Sequence, residues 1–474
     1  ARRRAVLRNK KAGTTMTDTI AAIATPPATG AIGIVRLSGP GARAVADRVF
    51  LPGMHADPPL LSSLAPRCAH YGRILDTDGR LLDKALALVF PAPHSYTGED
   101  CVELQCHGGL RLLHRVLALC IKAGARQAEA GEFTKRAFLN SQLDLTEAEA
   151  VADLIHAETL EGVRNAAGQL SGLLSDELSS IYNLLMDVTA HFTAYIDYSD
   201  EGVEPPDCSD AESICASCAA RLSALAASFQ TGRLFTEGVR CAIIGRPNAG
   251  KSSLLNALCG FDRSIVTPIA GTTRDTVEET VQVGPVLLRL IDTAGIRTDA
   301  DTVEQLGIER TRTAAGQAGL ILAVFDGSEP PTDSDREVLS IAAHASVPVV
   351  VILNKSDLPQ CFPADTDPLF QDAVRISAIS GQGLDDLRAA IEARCAAGEL
   401  RPDGSMITNR RQADALRRAA ESALHAAEAL RAGFTPDIAW VDAEAALSAI
   451  GEVTGKTVNE EILSHVFERF CVGK

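Results

Sequence analysis

The chain has 474 residues, with 45 Lys and Arg against 61 Asp and Glu, so its formal net charge is −16. This length predicts about three domains, and the longest apolar runs fall far short of the ~20 residues that span a bilayer. The acidic balance excludes binding of nucleic acid by overall charge alone, so any contact with RNA needs a local basic patch or a partner.

The first residues carry only positive charges and lack an apolar core, so we predict a disordered basic extension over 1–16. This pattern excludes a secretory signal, whereas an organellar transit peptide stays open. The 12 cysteines show no pattern of a disulfide module, which favours a reducing, cytoplasmic setting.

Residues 17–140 combine short β-rich runs with one amphipathic helix. The runs at 33–37, 85–90 and 102–105 are bounded by Gly and Pro, and 110–123 has the apolar spacing of a helix. We therefore predict an α+β N-terminal domain over 17–140.

Two later regions have helical patterns. Proline is absent from 94–204 and from 207–246, and apolar residues there recur at spacings of three and four. The same spacing returns at 413–431 and 443–470, with Pro436 between these stretches. We predict that 141–236 and 397–474 form one all-α helical bundle, into which the residues between them are inserted.

The inserted residues 237–396 alternate strands with helices. Strands are expected at 239–244, 286–292, 320–326, 349–353 and 374–377. Such alternation predicts an α/β domain with a mostly parallel sheet and helices on both faces.

A phosphate-binding loop follows the first of these strands. The segment Gly245–Ser252 fits the pattern G-x-x-x-x-G-K-[ST] and opens an amphipathic helix, which is the context that the motif requires. Its glycines let backbone N–H groups wrap the phosphates, Lys251 reaches their outer oxygens, and Ser252 can ligate Mg²⁺.

Two further motifs indicate the base. Asp357, in the segment Asn354–Asp357, can accept hydrogen bonds from N1 and N2 of guanine, and adenine has no matching donors. The pair Ser377–Ala378 adds a backbone N–H for guanine O6. The nucleotide is therefore predicted to be GTP.

The segment Asp292–Gly295 supplies the switch element. Its carboxylate can hold the Mg²⁺ shell, and Gly295 can donate its N–H to the γ-phosphate. The next residue is Ile296, whose alkyl side chain cannot orient water. Glu304 is the best-placed polar group for that task, although a solvated glutamate at a helix start is the other interpretation.

With these motifs in view, the chain resembles the MnmE family of tRNA modification GTPases, also called TrmE, from about residue 17 to residue 474. The resemblance extends beyond the GTPase motifs into the N-terminal domain and the carboxyl end. The matching segments are Ala24–Pro27, Arg36–Pro40, Ser95–Asp100, Glu103–Gly109, Gly131–Phe138, Ile269–Asp275 and Cys471–Lys474.

The resemblance implies a homodimer with an N-terminal domain that binds tetrahydrofolate and dimerises, a helical domain and an inserted, potassium-activated, Ras-like P-loop GTPase domain. It further implies a heterotetramer with the FAD-containing MnmG subunit. This complex would form 5-carboxymethylaminomethyluridine at the tRNA wobble position. The one-carbon unit would come from 5,10-methylene- or 5-formyl-tetrahydrofolate, and no membrane is involved.

Carried over by position, the resemblance also assigns roles in the GTPase domain. Glu304 and Lys251 would be catalytic, and Ser252 and Thr273 would bind Mg²⁺. The K⁺ ligands would be Asn248, Thr267, Ile269 and Thr272, which offer neutral oxygens. The GTP-binding residues would be Asn248, Ala249, Gly250, Lys251, Ser252, Ser253, Thr267, Pro268, Ile269, Ala270, Gly271, Thr272, Thr273, Asp292, Thr293, Ala294, Gly295, Asn354, Lys355, Asp357, Ser377 and Ala378.

The folate site implied by the resemblance includes Arg36 and Glu103, with Lys474 lining the same interior. Without the resemblance, a paired arginine and a half-exposed strand carboxylate would be the preferred interpretation. Gln142 stands where the family usually has a lysine in this site, and an amide can hydrogen-bond a carboxylate tail but cannot neutralise it.

Two other assignments stay open. Lys135 or Arg136 can compensate for the charge that position 142 lacks. Cys471 is either a redox-active or nucleophilic thiol, favoured by the nearby Lys474, or a cysteine that caps a buried terminal helix.

Two other functions compete with tRNA modification. A regulatory GTPase switch with a ribosomal or membrane partner would have no use for Arg36, Glu103 and the Gly108-Gly109 turn. A folate-dependent aminomethyl transferase with a vestigial GTPase conflicts with the intact Lys251 and Asp357.

Overall fold

The structure is a computed structural model, and it describes a defined part of the chain. The described residues are 17–54, 57–197, 207–236, 238–260, 279–284, 286–291, 313–362, 368–395, 404–457, 460–468, 470 and 472–473. The predicted extension over 1–16 lies outside them. The chain divides into two compact units. The first comprises Ala1–Ala152, Leu170–Asp187 and Glu444–Lys474, and the second comprises Asp153–Gln169 and Val188–Ala443.

The first unit contains a seven-stranded sheet in the order β3-β4-β5-β6-β2-β1-β7. Its strands are β1 (Ile20–Ile23), β2 (Ile32–Ser38), β3 (Phe50–Pro52), β4 (His70–Leu75), β5 (Leu81–Phe90), β6 (Cys101–His107) and β7 (Arg126–Gln127), and its early helices are α1 (Ala42–Val49), α2 (Leu110–Lys122) and α3 (Glu132–Leu139). In β5 the side chains of Asp83, Ala85, Ala87 and Val89 are buried in alternation with more exposed residues, which is the period of a strand with one covered face. Helices α1 and α2 cover that face, where Val35, Leu104 and Val116 belong to one core.

Five helices follow in the chain. They are α4 (Leu145–His156), α5 (Leu160–Leu170), α6 (Leu173–Asp197), α7 (Cys208–Ala227) and α8 (Phe229–Thr236). Helix α7 begins at a favourable cap, because the Asp207 carboxylate accepts from the N–H groups of Ser209 and Asp210.

The second unit contains a six-stranded sheet in the order β13-β12-β11-β8-β10-β9. Its elements are β8 (Val239–Ile244), α9 (Lys251–Cys259), β9 (Glu279–Val283), β10 (Val286–Ile291), β11 (Leu320–Asp326), α10 (Asp333–Ala343), β12 (Val349–Asn354), β13 (Val374–Arg375) and α11 (Leu384–Cys395). All neighbours are parallel except β9 and β10. All seven residues of β11 are buried, because separate apolar cores cover the two faces of the sheet.

The carboxyl-terminal region adds α12 (Arg410–Arg431), α13 (Pro436–Thr454) and α14 (Glu460–Phe467). Helix α12 packs along α7 within the second unit. In the first unit, Phe467 of α14 lies against Phe138 of α3, with ring centroids 6.4 Å apart. The boundaries between the two units fall inside the helices α4, α5, α6 and α13.

The strands predicted in both sheets are present, with shifts of a few residues at their ends. Three details differ. Strands β1, β3, β4, β7 and β9 have no counterpart among the predicted strands. Pro436 is the first residue of α13 and not a spacer between helices, because a missing N–H costs nothing in a first turn. The stretch 443–470 is not continuous either: α13 ends before Gly455, which has φ of 83°.

Among the described residues, no helix is both long enough and apolar enough to cross a bilayer.

Candidate functional site

The phosphate loop leaves β8 at the centre of the second unit's sheet and leads into the first turn of α9. Gly250 caps α9 with φ of 96°, and a Cβ atom at this position would lie 2.0 Å from Nδ2 of Asn354. Asn248 has φ of 62°, a conformation that asparagine tolerates better than most residues. The loop therefore needs its glycine for both backbone conformation and space.

Lys251 lies over this loop. Its ammonium group donates to the carbonyl oxygens of Gly245 and Arg246, at 2.8 Å each. Ser252 and Ser253 follow in the first turn of α9 and are half-buried. The N–H groups at the start of a helix carry partial positive charge, so this arrangement is suited to a phosphate group.

Asn354 connects three parts of the nucleotide site. Its buried side chain donates from Nδ2 to the Ala249 carbonyl at 2.9 Å and accepts at Oδ1 from the Ala378 N–H at 3.1 Å. One amide thereby fixes the phosphate loop relative to the turn at 377–378. The base-binding segment continues from Asn354 itself.

The residues predicted to bind guanine differ in their exposure. Asp357 is exposed, and Ser377 is buried. The Ser377 N–H donates to the Gln382 carbonyl at 2.9 Å. A bound guanine would therefore have to share the Ala378 N–H with Asn354.

Two charged residues of this region were missed by the sequence reasoning. Asp326, at the end of β11, accepts from Lys355 Nζ at 2.5 Å, and Arg246 lies 3.5 Å from the same carboxylate oxygen. The available signal was Asp326 itself, a carboxylate at the end of an otherwise apolar strand. A buried charge in a protein is paired, so such a residue predicts a charged partner nearby.

Several predicted site residues lie outside the described residues. They are Thr267, Pro268, Ile269, Ala270, Gly271, Thr272, Thr273, Asp292, Thr293, Ala294, Gly295, Ile296, Glu304, Cys471 and Lys474. Their assignments stay predictions.

In the first unit, the structure brings Arg36 and Glu103 together. They are direct cross-strand partners on β2 and β6, with Arg36 Nε 2.9 Å from Glu103 Oε1. Both side chains are less than one fifth exposed. The Arg36 guanidinium also lies 5.5 Å from the ring centre of Tyr96 and 5.7 Å from that of Phe133, within cation–π range.

The carboxyl end reaches the same place. Val472 forms an isolated antiparallel bridge with Ala130, and the Gly473 carbonyl lies 3.5 Å from Arg36 Nη1. Gly473 has φ of 102°, and a Cβ atom there would lie 2.3 Å from the Ile23 carbonyl oxygen. This close approach requires glycine.

Burial raises the pKa of Tyr96 above its ordinary value, against opposing effects of the Thr134 hydroxyl and the Arg36 charge. Tyr96 therefore stays protonated at neutral pH and can act as a hydrogen-bond donor.

Gln142 is exposed, and its Nε2 would lie 3.0 Å from a Cβ atom built on Gly98, in the segment that also carries Tyr96. Arg136 cannot compensate for its missing charge. The Arg136 guanidinium is fully buried and paired with Asp18, Glu99 and Glu132. Lys135 is half-exposed and remains available for that role.

The ion pairs around Arg136 lower the pKa values of two carboxyl groups. Burial alone would raise the pKa of Glu132, but hydrogen bonds from Arg126, the Glu129 N–H and Arg136 lower it below 4.5. The pKa of Asp18 is lowered in the same way, because Arg126 and Arg136 outweigh its desolvation. Glu99 also accepts from Ser38 at 2.7 Å, so this cluster fixes the segment that carries Tyr96.

Two family models match the chain. The model described as "GTP-binding protein TrmE N-terminus" matches residues 19–142, and the model described as "MnmE helical domain" matches residues 145–471.

Curated proteins match nearly the whole chain. A tRNA modification GTPase MnmE from Roseiflexus sp. (strain RS-1) is 44% identical over 468 residues, with 96% of this chain and 99% of that protein covered. The protein of the same name from Chloroflexus aurantiacus is 44% identical over 463 residues, covering 97% of this chain and 100% of that protein. A solved G domain of the T. maritima FeoB iron transporter is 24% identical and covers 33% of this chain and 99% of its own, but its TM-score of 0.24 is too low to support a conclusion.

Proposed function

Because this chain belongs to the MnmE (TrmE) family of tRNA modification GTPases, we propose that it is activated by potassium and acts with an FAD-containing, MnmG-like subunit on the wobble uridine of tRNA. The product would be 5-carboxymethylaminomethyluridine, with the one-carbon unit supplied by a tetrahydrofolate. The proposed assembly is a heterotetramer built on a homodimer of this chain, in the cytoplasm.

The observation that carries the GTPase part is the Asn354 side chain, which joins the phosphate loop to the turn at 377–378. The exposed Asp357 carboxylate follows three residues after Asn354 in the same segment, which supports its role in binding the base. Asp357→Asn exchanges an acceptor for a donor, so we expect preference for xanthosine triphosphate over GTP. A direct titration that gives unchanged GTP affinity would show that guanine binds elsewhere.

The proposed metal sites follow from the oxygen atoms that the predicted ligands offer. Ser252 and Thr273 would hold Mg²⁺, which neutralises charge between the β- and γ-phosphates when bound. Asn248 is exposed in the phosphate loop and offers a neutral amide oxygen, as a monovalent cation requires. Thr267, Ile269 and Thr272 would complete the K⁺ site, and Lys251 would contact the phosphates.

Ile296 cannot orient water, so Glu304 is proposed for that role. Glu304→Ala should keep nucleotide affinity, since no phosphate contact is lost, while hydrolysis falls about 10²–10⁴-fold. Turnover within a few-fold of wild type would mean that another residue positions the water.

The folate part rests on the pair Arg36 and Glu103 and on what surrounds it. A guanidinium between two aromatic rings, beside a carboxylate, can bind a flat heterocycle with amide-like edges through charge-assisted hydrogen bonds. Gln142 and Lys474 are proposed to contact the folate tail. Cys471 keeps its two interpretations, a reactive thiol or a helix cap.

A potassium test separates this proposal from an ordinary regulatory switch. Hydrolysis should be much faster in KCl than in NaCl at equal ionic strength, and Asn248→Ala should abolish the difference. Equal rates in both salts would overturn potassium activation while leaving GTP binding intact.

A second test addresses the tRNA product. Mass spectrometry of wobble uridines from a deletion strain should show the modification restored by the wild-type gene and not by Arg36→Ala. Normal wobble uridines in the deletion strain would contradict the proposed reaction.

A further inference from the structure

Two loops of the nucleotide site converge on one carboxylate that lies outside both motifs. Asp326 Oδ2 accepts from Lys355 Nζ at 2.5 Å, and Arg246 Nη2 lies 3.5 Å from the same oxygen. Arg246 belongs to the phosphate loop, whereas Lys355 belongs to the base-binding segment. The two cations thus share an anchor on the central strand β11.

The anchor itself is held rigidly. Asp326 is 2% exposed, and its other oxygen, Oδ1, accepts from the N–H and the hydroxyl of Ser328 at 3.0 and 2.6 Å. Burial alone would raise the pKa of Asp326, but the hydrogen bonds from Lys355 and Ser328 lower it below 3.8. The carboxylate is therefore ionised wherever the protein is folded near neutral pH.

Both loops contain a non-glycine residue in the left-handed conformation. Lys355 itself has φ of 64°, and Asn248, two residues after Arg246, has φ of 62°. For a lysine this conformation is unfavourable, and it persists only where surrounding contacts impose it. Asp326 provides such a contact directly to Lys355, and in the phosphate loop it pairs with Arg246, two residues before Asn248.

Neighbouring acids do not duplicate this role. Glu329 pairs with Arg246, since its carboxylate lies 2.6 Å from Arg246 Nη2, but its side chain is 57% exposed. Asp335 is buried and lies 3.3 Å from Arg246 Nε, but it also accepts from the Thr332 N–H and hydroxyl in the cap of α10. Within the described residues, only Asp326 is recorded in an ion pair with both Arg246 and Lys355.

We propose that Asp326 is a positioning residue for guanine nucleotides, which holds the base-binding segment and the phosphate loop in their strained, binding-competent conformations through Lys355 and Arg246. It would act through these two side chains and not by contacting the nucleotide. Its loss should therefore speed nucleotide release, and the chemical step at saturating GTP should be nearly unaffected.

The test compares Asp326→Asn with Glu329→Gln in the full chain. Both substitutions remove one negative charge beside Arg246 and keep the side-chain shape. Asp326→Asn should weaken the binding of both a fluorescent GDP analogue and GTP by about 10- to 100-fold, mainly through a faster dissociation rate. Turnover at saturating GTP should stay within about twofold. Glu329→Gln should change affinity by less than about threefold, as expected of an exposed ion pair.

A double-mutant cycle distinguishes positioning from general destabilisation. If Asp326 acts through Lys355, Asp326→Asn should cost much less affinity in a Lys355→Met background than in the wild type. Fully additive effects would overturn the proposal, as would equal losses in Asp326→Asn and Glu329→Gln.

Ser328→Ala provides an independent variant, because it loosens the carboxylate without removing it. It should raise the dissociation rate of the same GDP analogue by a few-fold. If Asp326→Asn does not fold, the Ser328→Ala variant decides. A folded Ser328→Ala protein that releases the GDP analogue at the wild-type rate would overturn the proposal.

Discussion

The two candidate sites of this chain are built from different materials. The nucleotide site consists largely of backbone: Gly250 at φ of 96°, Asn248 at φ of 62°, and the N–H groups at the start of α9. The site in the first unit consists of side chains, with Arg36 and Glu103 facing each other from neighbouring strands and two aromatic rings beside them.

This difference decides how each site tolerates change. A backbone site fails when its conformation or its space is lost, so glycines are among its most sensitive positions. A side-chain site fails when a charge is left unpaired, so removing one partner should cost more than removing both. The substitutions below test this contrast, beginning with the largest expected effect.

Gly250→Ala should nearly abolish nucleotide binding. The new methyl group would meet Asn354 Nδ2 at 2.0 Å in a left-handed conformation, and Asn354 holds both the phosphate loop and the 377–378 turn. We expect GTP affinity to fall about 100-fold or more, measured by titration with a fluorescent analogue. Gly316→Ala is the matched control, since nothing lies within 4 Å of its added Cβ, and it should bind normally. Normal binding by Gly250→Ala would refute the backbone character of the site.

Arg36→Ala and Glu103→Ala should each weaken binding of a reduced folate by about 10- to 100-fold, because each leaves a half-buried charge without its partner. GTP hydrolysis should be unaffected. Calorimetric titration of the full chain with 5-formyl-tetrahydrofolate measures the first effect, and phosphate release measures the second. Loss of both activities would indicate a folding defect instead of a lost ligand contact.

The contrast also explains what the sequence could predict. The phosphate loop is contiguous, so its glycines, lysine and serine identify it directly. The pair Arg36 and Glu103 is separated by 67 positions, and only strand register brings the two together, so resemblance to a family had to supply it. For Arg136, the i,i+4 spacing to Glu132 on α3 was available from the sequence, whereas its partners Asp18 and Glu99 come from two distant segments and could not be anticipated. Strand β9 escaped prediction because it is a short strand at the edge of the sheet, where it pairs antiparallel with β10.

The ion-pair cluster around Arg136 in the first unit should begin to lose its stabilising effect at a higher pH than the cluster around Asp326. The folded pKa of Glu132 lies below its ordinary 4.5, so its stabilising effect is complete above pH 4.5 and is lost as pH falls through the lower, folded value. For Asp326, beside the nucleotide loops, the same loss begins only below 3.8. Thermal unfolding followed by circular dichroism should therefore show a midpoint that declines below pH 4.5. In Glu132→Gln, the unfolding midpoint should be lower at pH 7, and it should fall less on acidification than in the wild type. Parallel pH curves for the two proteins would contradict this assignment.

The smallest expected effect is at Gln142. Gln142→Lys adds a cation at an exposed position near Gly98, where solvent screens it, so we expect folate affinity to rise only a few-fold. Gln142→Met, which keeps the length without the charge or the amide, serves as control. A neutral or adverse effect of the lysine would mean that the folate tail is held elsewhere, with Lys135 as the next residue to test.

The division of the first unit along the chain has a consequence for its synthesis. Phe138 and Leu145 share an apolar core with Val466, Phe467 and Phe470. Roughly 300 residues separate the two halves of this core, which at ~5–20 residues per second is about 15–60 s of translation. During that interval α3 and α4 would have left the ribosome with this apolar surface uncovered. We therefore expect the nascent chain to be a chaperone client until α14 emerges, and early termination before residue 460 should leave a product prone to proteolysis.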